Sequence, residues 1–227
     1  MVFANNDRPG IMLASAARHY LNHYGVLIGR TVGVYTANDS AYAAAFDLKR
    51  AGAEIAVIAD IRQTVDPALL EEAGRLGIRV LTHHAVVAAG GKLRVSSIVV
   101  RPCRGGSRQV IPVDALIMSA GWTPSVHLFS QSRGKLRFDE DGQRFLPGEY
   151  AQDCASAGAC NGAANLAATV EEGLAAGEAA AKAARPKATA KPLSIKAESG
   201  GSWDGLMLGA GAAVSSSMAI VLAAGQV

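Results

Sequence analysis

Thr31-Val32-Gly33-Val34-Tyr35-Thr36-Ala37-Asn38-Asp39-Ser40-Ala41-Tyr42 is the stretch that decides the fold. Its first five residues, 31–35, form an apolar run of strand length, and residues 40–50 then place Ala41, Ala44, Ala45 and Leu48 on one helical face. Gly52 stands just past that helix, where a left-handed residue is wanted. Residues 54–59 read as a second strand ending at Asp60. Asp66 then caps a helix that has Pro67 at its first position. That helix runs to Leu76, Gly77 stops it, and residues 78–81 read as a third strand. Strand and helix in strict alternation predict a parallel α/β sheet.

Upstream, residues 11–24 read as a helix with apolar positions Leu13, Ala16, Ala17, Tyr20 and Leu21, ended by Gly25. Downstream the period changes. Residues 85–89, 93–101 and 108–112 are short β segments separated by Gly90-Gly91 and Gly105-Gly106, the pattern of an antiparallel meander. A further strand at 115–119 runs into Ala120-Gly121-Trp122-Thr123-Pro124. Residues 155–158 read as a short strand entry, and an alanine-rich helix follows at 163–184, closed by Pro186. Residues 187–201 have linker composition. Asp204 is the last charged residue, and the uncharged 205–227 is long enough to span a bilayer. Rich in Gly, Ala and Ser and lacking a basic flank, it is not read as a membrane span.

Half of the 227 residues are hydrophobic, which is enough for a buried core, and the net charge is only +3 with Lys and Arg scattered. Nucleic-acid binding needs a concentrated basic face, and the sequence shows none. The three cysteines, Cys103, Cys154 and Cys160, form neither a CxxC dithiol nor a disulfide framework, so a cytoplasmic setting is expected. The five histidines show no ligand spacing near a cysteine and read as surface or core residues, with no metal site. No nucleophile–base pair or paired carboxylates stand out, so no catalytic residue is assigned.

A dinucleotide fold places G-x-G-x-x-G after its first strand, so that bare backbone meets a pyrophosphate at a helix N-terminus. Here those slots hold Thr36, Asn38 and Ala41. Asn38 adds a side chain where phosphate should sit, and Asp39 adds negative charge. Asp39 or Ser40 is expected to cap the helix instead. Asp60 stands where an acid grips an adenosine ribose, but beside a damaged turn it reads better as a strand-end turn former. The unit is expected to have lost its nucleotide. In Ala157-Gly158-Ala159-Cys160-Asn161-Gly162, Gly158 lets backbone approach a ligand, while Ala159 replaces the acid that flavin-type domains carry there. A plain strand-to-helix turn explains these glycines equally well. The polar run Asn5, Asn6, Asp7 and Arg8 is read as cofactor-facing, with local hydrogen bonding in a turn as the alternative.

Long runs then resemble one family. Phe3-Ala4-Asn5-Asn6-Asp7-Arg8-Pro9-Gly10-Ile11-Met12-Leu13-Ala14, the turn Thr36 to Tyr42, and Ser119-Ala120-Gly121-Trp122-Thr123-Pro124-Ser125-Val126-His127-Leu128-Phe129-Ser130-Gln131-Ser132 resemble the alpha subunit of heterotetrameric sarcosine oxidases. Gly134-Lys135-Leu136-Arg137-Phe138-Asp139-Glu140 continues the likeness, which covers residues 2 to about 184. It implies an α/β fold of the two-dinucleotide-binding-domain, Rossmann-like reductase type, incomplete, with an inserted NAD-type domain containing a β-meander. The domains expected are 1–27 plus 119–186 as part of a flavin-reductase-type FAD/NAD-binding domain, 28–118 as the inserted domain, and 187–227 as linker and tail. The resemblance implies oxidative demethylation of sarcosine to glycine by a complex with beta, gamma and delta subunits. It implies NAD in the full-length alpha subunit, FAD and FMN in the complex, and a tetrahydrofolate site outside this chain. Cofactor-binding residues carried over are Asn5, Asn6, Asp7, Arg8, Gly158 and Ala159. The alternatives are a related amine or opine oxidase subunit, and a non-catalytic degenerate fragment.

Overall fold

The computed structural model describes residues 1–163 and 165–184, which divide into two compact units, Met1–Gly121 and the residues from Trp122 onward. The expected linker and tail at 187–227 lie outside the described residues.

The first unit runs β1 (Ile11–Leu13), α1 (Ala14–Tyr24), β2 (Thr31–Thr36), α2 (Ser40–Arg50), β3 (Glu54–Asp60), α3 (Pro67–Arg75) and β4 (Val80–Thr82). The meander strands β5 (His84–Gly90), β6 (Ser97–Pro102) and β7 (Gln109–Pro112) follow, and then β8 (Ala115–Ser119). Five strands form a parallel sheet in the order β1-β8-β2-β3-β4, while β5-β6-β7 form a separate antiparallel sheet.

Alternation along β2 explains why this sheet is covered on both faces. Val32 and Val34 join a core with Ala41, Ala44, Ala45 and Leu48 of α2 and Ala17 of α1. Tyr35 points the other way, into a core with Phe3, Val57, Leu116 and the meander residues Val86, Ile98 and Val100. Period-two side chains thus feed two separate cores. Full burial of each Val, Leu or Ile contributes about 1.5–3 kcal/mol. Gly33 sits on the meander side, where an added Cβ would lie 2.9 Å from the Ile98 Cδ1 atom. Its missing side chain is what lets the meander approach.

The helix starts follow from local chemistry. Asp66 accepts a hydrogen bond from the Ala68 N–H at 2.9 Å, and Pro67 follows it, as the sequence predicts. At the start of β2, the Asp114 carboxylate accepts the N–H groups of Thr31 (2.9 Å) and Arg30 (3.0 Å), tying the loop before β8 to its neighbour.

Residues 11–24 differ from the expected single helix. Ile11–Leu13 is a strand that pairs in parallel with Leu116 to Met118, and the helix begins only at Ala14. No side-chain cap marks that start, so an apolar run entering an alanine-rich helix looks continuous in sequence. Since β1 belongs to the five-stranded sheet and Ala14 and Ala17 to its core, residues 1–27 lie in the same compact unit as 28–121.

The second unit holds α4 (His127–Gln131), an antiparallel hairpin of β9 (Lys135–Asp139) and β10 (Arg144–Glu149), a 3-10 turn (Gly158–Asn161) and α5 (Leu166–Ala184). Residues 155–158, expected as a strand entry, carry no strand. Their backbone leads instead into the 3-10 turn, whose first residue, Gly158, has φ +77°.

Candidate functional site

In an open parallel sheet, ligands settle at the carboxyl ends of the strands where the strand order reverses. Here that crevice lies between the ends of β2 and β8, and the chain's own side chains occupy it. Asn38, 2% exposed, donates from its Nδ2 to the Ser119 hydroxyl at 2.9 Å. Its Oδ1 accepts the Ser40 backbone N–H at 3.0 Å and the Ser40 hydroxyl at 2.6 Å. Asp39 holds the N-cap position of α2 but makes no side-chain cap hydrogen bond, and the Asn38 side chain accepts the Ser40 N–H in its place. The reason is geometric: Asn38 is two residues ahead of the N–H it caps, and Asp39 turns away to meet Arg62 at 2.7 Å.

Asp60 ends β3 with no exposed surface. Its carboxylate accepts from the Arg62 backbone N–H (2.9 Å), Arg62 Nε (3.1 Å) and Nη2 (2.8 Å), and from the Tyr42 hydroxyl (2.9 Å). It forms the strand-end turn expected of it, and no lone pair is left facing a ribose. Burial pushes the Tyr42 phenol well above its ordinary range, and the negative Asp60 beside it adds to the shift. Burial alone would lower the Arg62 guanidinium, yet hydrogen bonds to Asp60 and Asp39 hold it above its ordinary value. Arg62 was not singled out from the sequence. Its position two residues past the strand-end acid was the available signal.

Asn5 to Arg8 lie against the meander. Ala4 and Ala88 form a parallel bridge, the Asn5 Nδ2 donates to the Ala89 carbonyl (3.0 Å), and the Arg8 Nη1 donates to the Lys92 carbonyl (3.0 Å). Asn5 adopts φ +62°, a left-handed turn that asparagine tolerates. Asn6 is half-buried and Asp7 exposed.

In the second unit, the Gly158 N–H donates to the Glu172 carboxylate of α5 at 2.9 Å, and the Asn161 Nδ2 reaches the same oxygen at 3.1 Å. A Cβ on Gly158 would stand 2.9 Å from the Thr169 methyl, so both the positive φ and the packing require glycine. Ala159 and Cys160 line a cleft of about 290 Å³ with Trp122, Pro124, Ser125 and Arg144. A second cleft of about 330 Å³ shares Ser125 and Cys160 with the first. The Arg144 guanidinium is held by Asp139 (3.2 Å) and the Gly162 carbonyl (3.3 Å). Ala159 thus shares a cleft with a cation and an indole, while Gly158 is buried and lines neither cleft. Asn5 to Arg8 belong to the other unit.

No family model matches the chain. It is 42% identical over 165 residues to the sarcosine oxidase subunit alpha of Corynebacterium sp. (strain P-1), and 38% identical over 149 residues to that of Rhizobium meliloti (strain 1021). These matches cover 70% and 65% of the chain but only 17% and 14% of the relatives' lengths. Among solved structures, it superposes on Lactococcus lactis thioredoxin reductase with a TM-score of 0.60 at 15% identity, over 80% of this chain and 61% of that one. The bacillithiol disulfide reductase Bdr of Staphylococcus aureus gives 0.59 at 18% identity, over 82% and 58%. L-proline dehydrogenase from P. horikoshii gives 0.56 at 21% identity, over 85% and 33%. The chain is thus similar in sequence to part of the sarcosine oxidase alpha subunit, on the Rossmann-like α/β fold of the two-dinucleotide-binding-domain reductases.

Proposed function

We propose that this polypeptide serves as the NAD-binding and scaffold region of a sarcosine oxidase alpha subunit, within a cytoplasmic complex that oxidatively demethylates sarcosine to glycine. The observation that carries the reading is the 42% identity to a sarcosine oxidase alpha subunit. The complex would contain beta, gamma and delta subunits, with FAD and FMN held elsewhere in it.

The two turns differ in their fit to a dinucleotide. At the β2–α2 turn, Asn38 fills the phosphate position and the Asp39 carboxylate repels it, so that turn does not fit. This supports a scaffold role for the first unit. The paired clefts beside Cys160 fit better. Arg144 offers a guanidinium for phosphate oxygens, and Trp122 an aromatic face for a ring. Without an acid at Ala159, ribose recognition there is weakened. NAD, when bound, would supply hydride-transfer capacity. The residues of this chain bind and orient it.

Titration of the full chain with NAD⁺, followed by tryptophan fluorescence, tests this. A saturable change is expected, weakened about tenfold or more in Arg144→Ala by loss of a charge-assisted phosphate contact. No saturable change up to millimolar NAD⁺, in a chain shown to be folded by circular dichroism, would remove the NAD-binding part of the proposal.

A further inference from the structure

α1 carries an exposed aromatic face that neither core uses. His19 and His23 are one helical turn apart, both exposed, and their rings stack nearly parallel, with centroids 5.0 Å apart and an interplanar angle of 10°. Tyr24 sets its ring edge-on to both, at 5.5 Å and 4.7 Å. The neighbouring polar side chains of the helix are turned elsewhere: Arg18 and Asn22 both bond Asp47 on α2. The two imidazoles therefore stand as an adjacent, solvent-facing pair of nitrogen donors.

We propose that His19 and His23 form a chelating site for a borderline divalent transition ion, Cu²⁺, Ni²⁺ or Zn²⁺. Histidines at i and i+4 project from one helix face, and this spacing lets two imidazoles ligate a single ion. The pair lies in the second half of the helix, with His23 in its last turn. Gly25 and Val26 N–H groups bond only the Leu21 and Tyr20 carbonyls there, so the remaining carbonyls of the last turn present negative dipole ends to a cation. Among the described residues no group of three or more His, Cys, Asp or Glu side chains is assembled to hold a metal. The site accordingly uses two protein ligands, and its other positions take water or a donor from a partner. Small rotations about the His side-chain torsions close the rings on the ion. Tyr24 shields one flank of the pair. Affinity should follow the Irving–Williams order of the divalent ions, with Cu²⁺ bound most tightly.

The test is isothermal titration of the full chain, made without a histidine tag, with CuCl₂ and NiCl₂ at neutral pH. One ion per chain is expected, with a Kd in the micromolar range, weakened at least about tenfold in His19→Gln and in His23→Gln. His84→Gln and His127→Gln should bind as the parent does. Electron paramagnetic resonance of the Cu²⁺ complex should show hyperfine coupling to two imidazole nitrogens, reduced to one in either α1 variant. Both residues are exposed, so thermal melts of the variants should match the parent. Binding that survives in His19→Gln and His23→Gln, or no binding up to millimolar metal, would overturn the proposal.

Discussion

Arg62→Ala is expected to destabilise the Met1–Gly121 unit by about 3–5 kcal/mol, the range seen when one partner of a buried ion pair is removed. Asp60 has no exposed surface, and three of its hydrogen bonds come from Arg62, two of them charged. The backbone N–H survives the substitution, but both guanidinium contacts are lost. What remains is a buried carboxylate with a tyrosine hydroxyl and one amide. The melting temperature should drop by about 10 °C or more. Asp39→Ala provides the internal comparison. Its side chain is 40% exposed, so losing the outer contact to Arg62 should cost no more than about 1 kcal/mol. Equal melting temperatures for Arg62→Ala and the parent would show that the network contributes nothing to stability.

The second large effect is a loss of stability in alkali. Burial raises the Tyr35 and Tyr42 phenols above their ordinary value of 10.0 in the folded chain, with the charge of Asp60 adding to the shift at Tyr42. Both groups stay protonated in the native state at a pH where the unfolded chain has lost those protons. Their contribution is complete below pH 10 and is lost as pH rises above it, because the unfolded state then binds fewer protons. Each tyrosine should add a slope of about 1.4 kcal/mol per pH unit. Urea unfolding from about pH 9 to about pH 11 measures it. Tyr42→Phe should be less stable near neutrality, having lost the bond to Asp60, yet show a shallower alkaline slope. A slope unaffected by Tyr35→Phe and by Tyr42→Phe would assign the alkaline loss to other groups.

The central βαβ run was legible because its signals are local. Alanines at helical spacing, Asp66 before Pro67 and glycines after the helices each act within a few residues. The meander was legible for the same reason, through paired glycines between β-rich segments. β1 was hidden because three apolar residues entering a helix carry no boundary of their own. Only pairing with Leu116 to Met118, far along the chain, makes them a strand. The β9–β10 hairpin left a readable trace in Asp141-Gly142 between Leu136, Phe138 and Phe145. Its strands alternate with so many charges that the apolar pattern is thin. At the site, side chains in place of the usual glycines at Thr36, Asn38 and Ala41 could be read from residue type. That Ser119 meets Asn38 in the crevice could not, because Ser119 reaches it only through the tertiary fold.

The place of β8 between β1 and β2 has a consequence for synthesis on the ribosome. β1 leaves the ribosome about a hundred residues before β8, its partner strand among the described residues, and the entire meander is made between them. Until then the nascent chain carries an unpaired apolar strand and a helix whose small-residue face has no finished sheet to cover. The segment from β2 to β4 can assemble meanwhile from near neighbours in the chain. The last strand then enters the middle of the sheet, joining an early-made edge to a pre-built half. Closure of this unit is therefore a late, long-range event, and the interval before it is when the chain is most open to chaperone capture or wrong pairing.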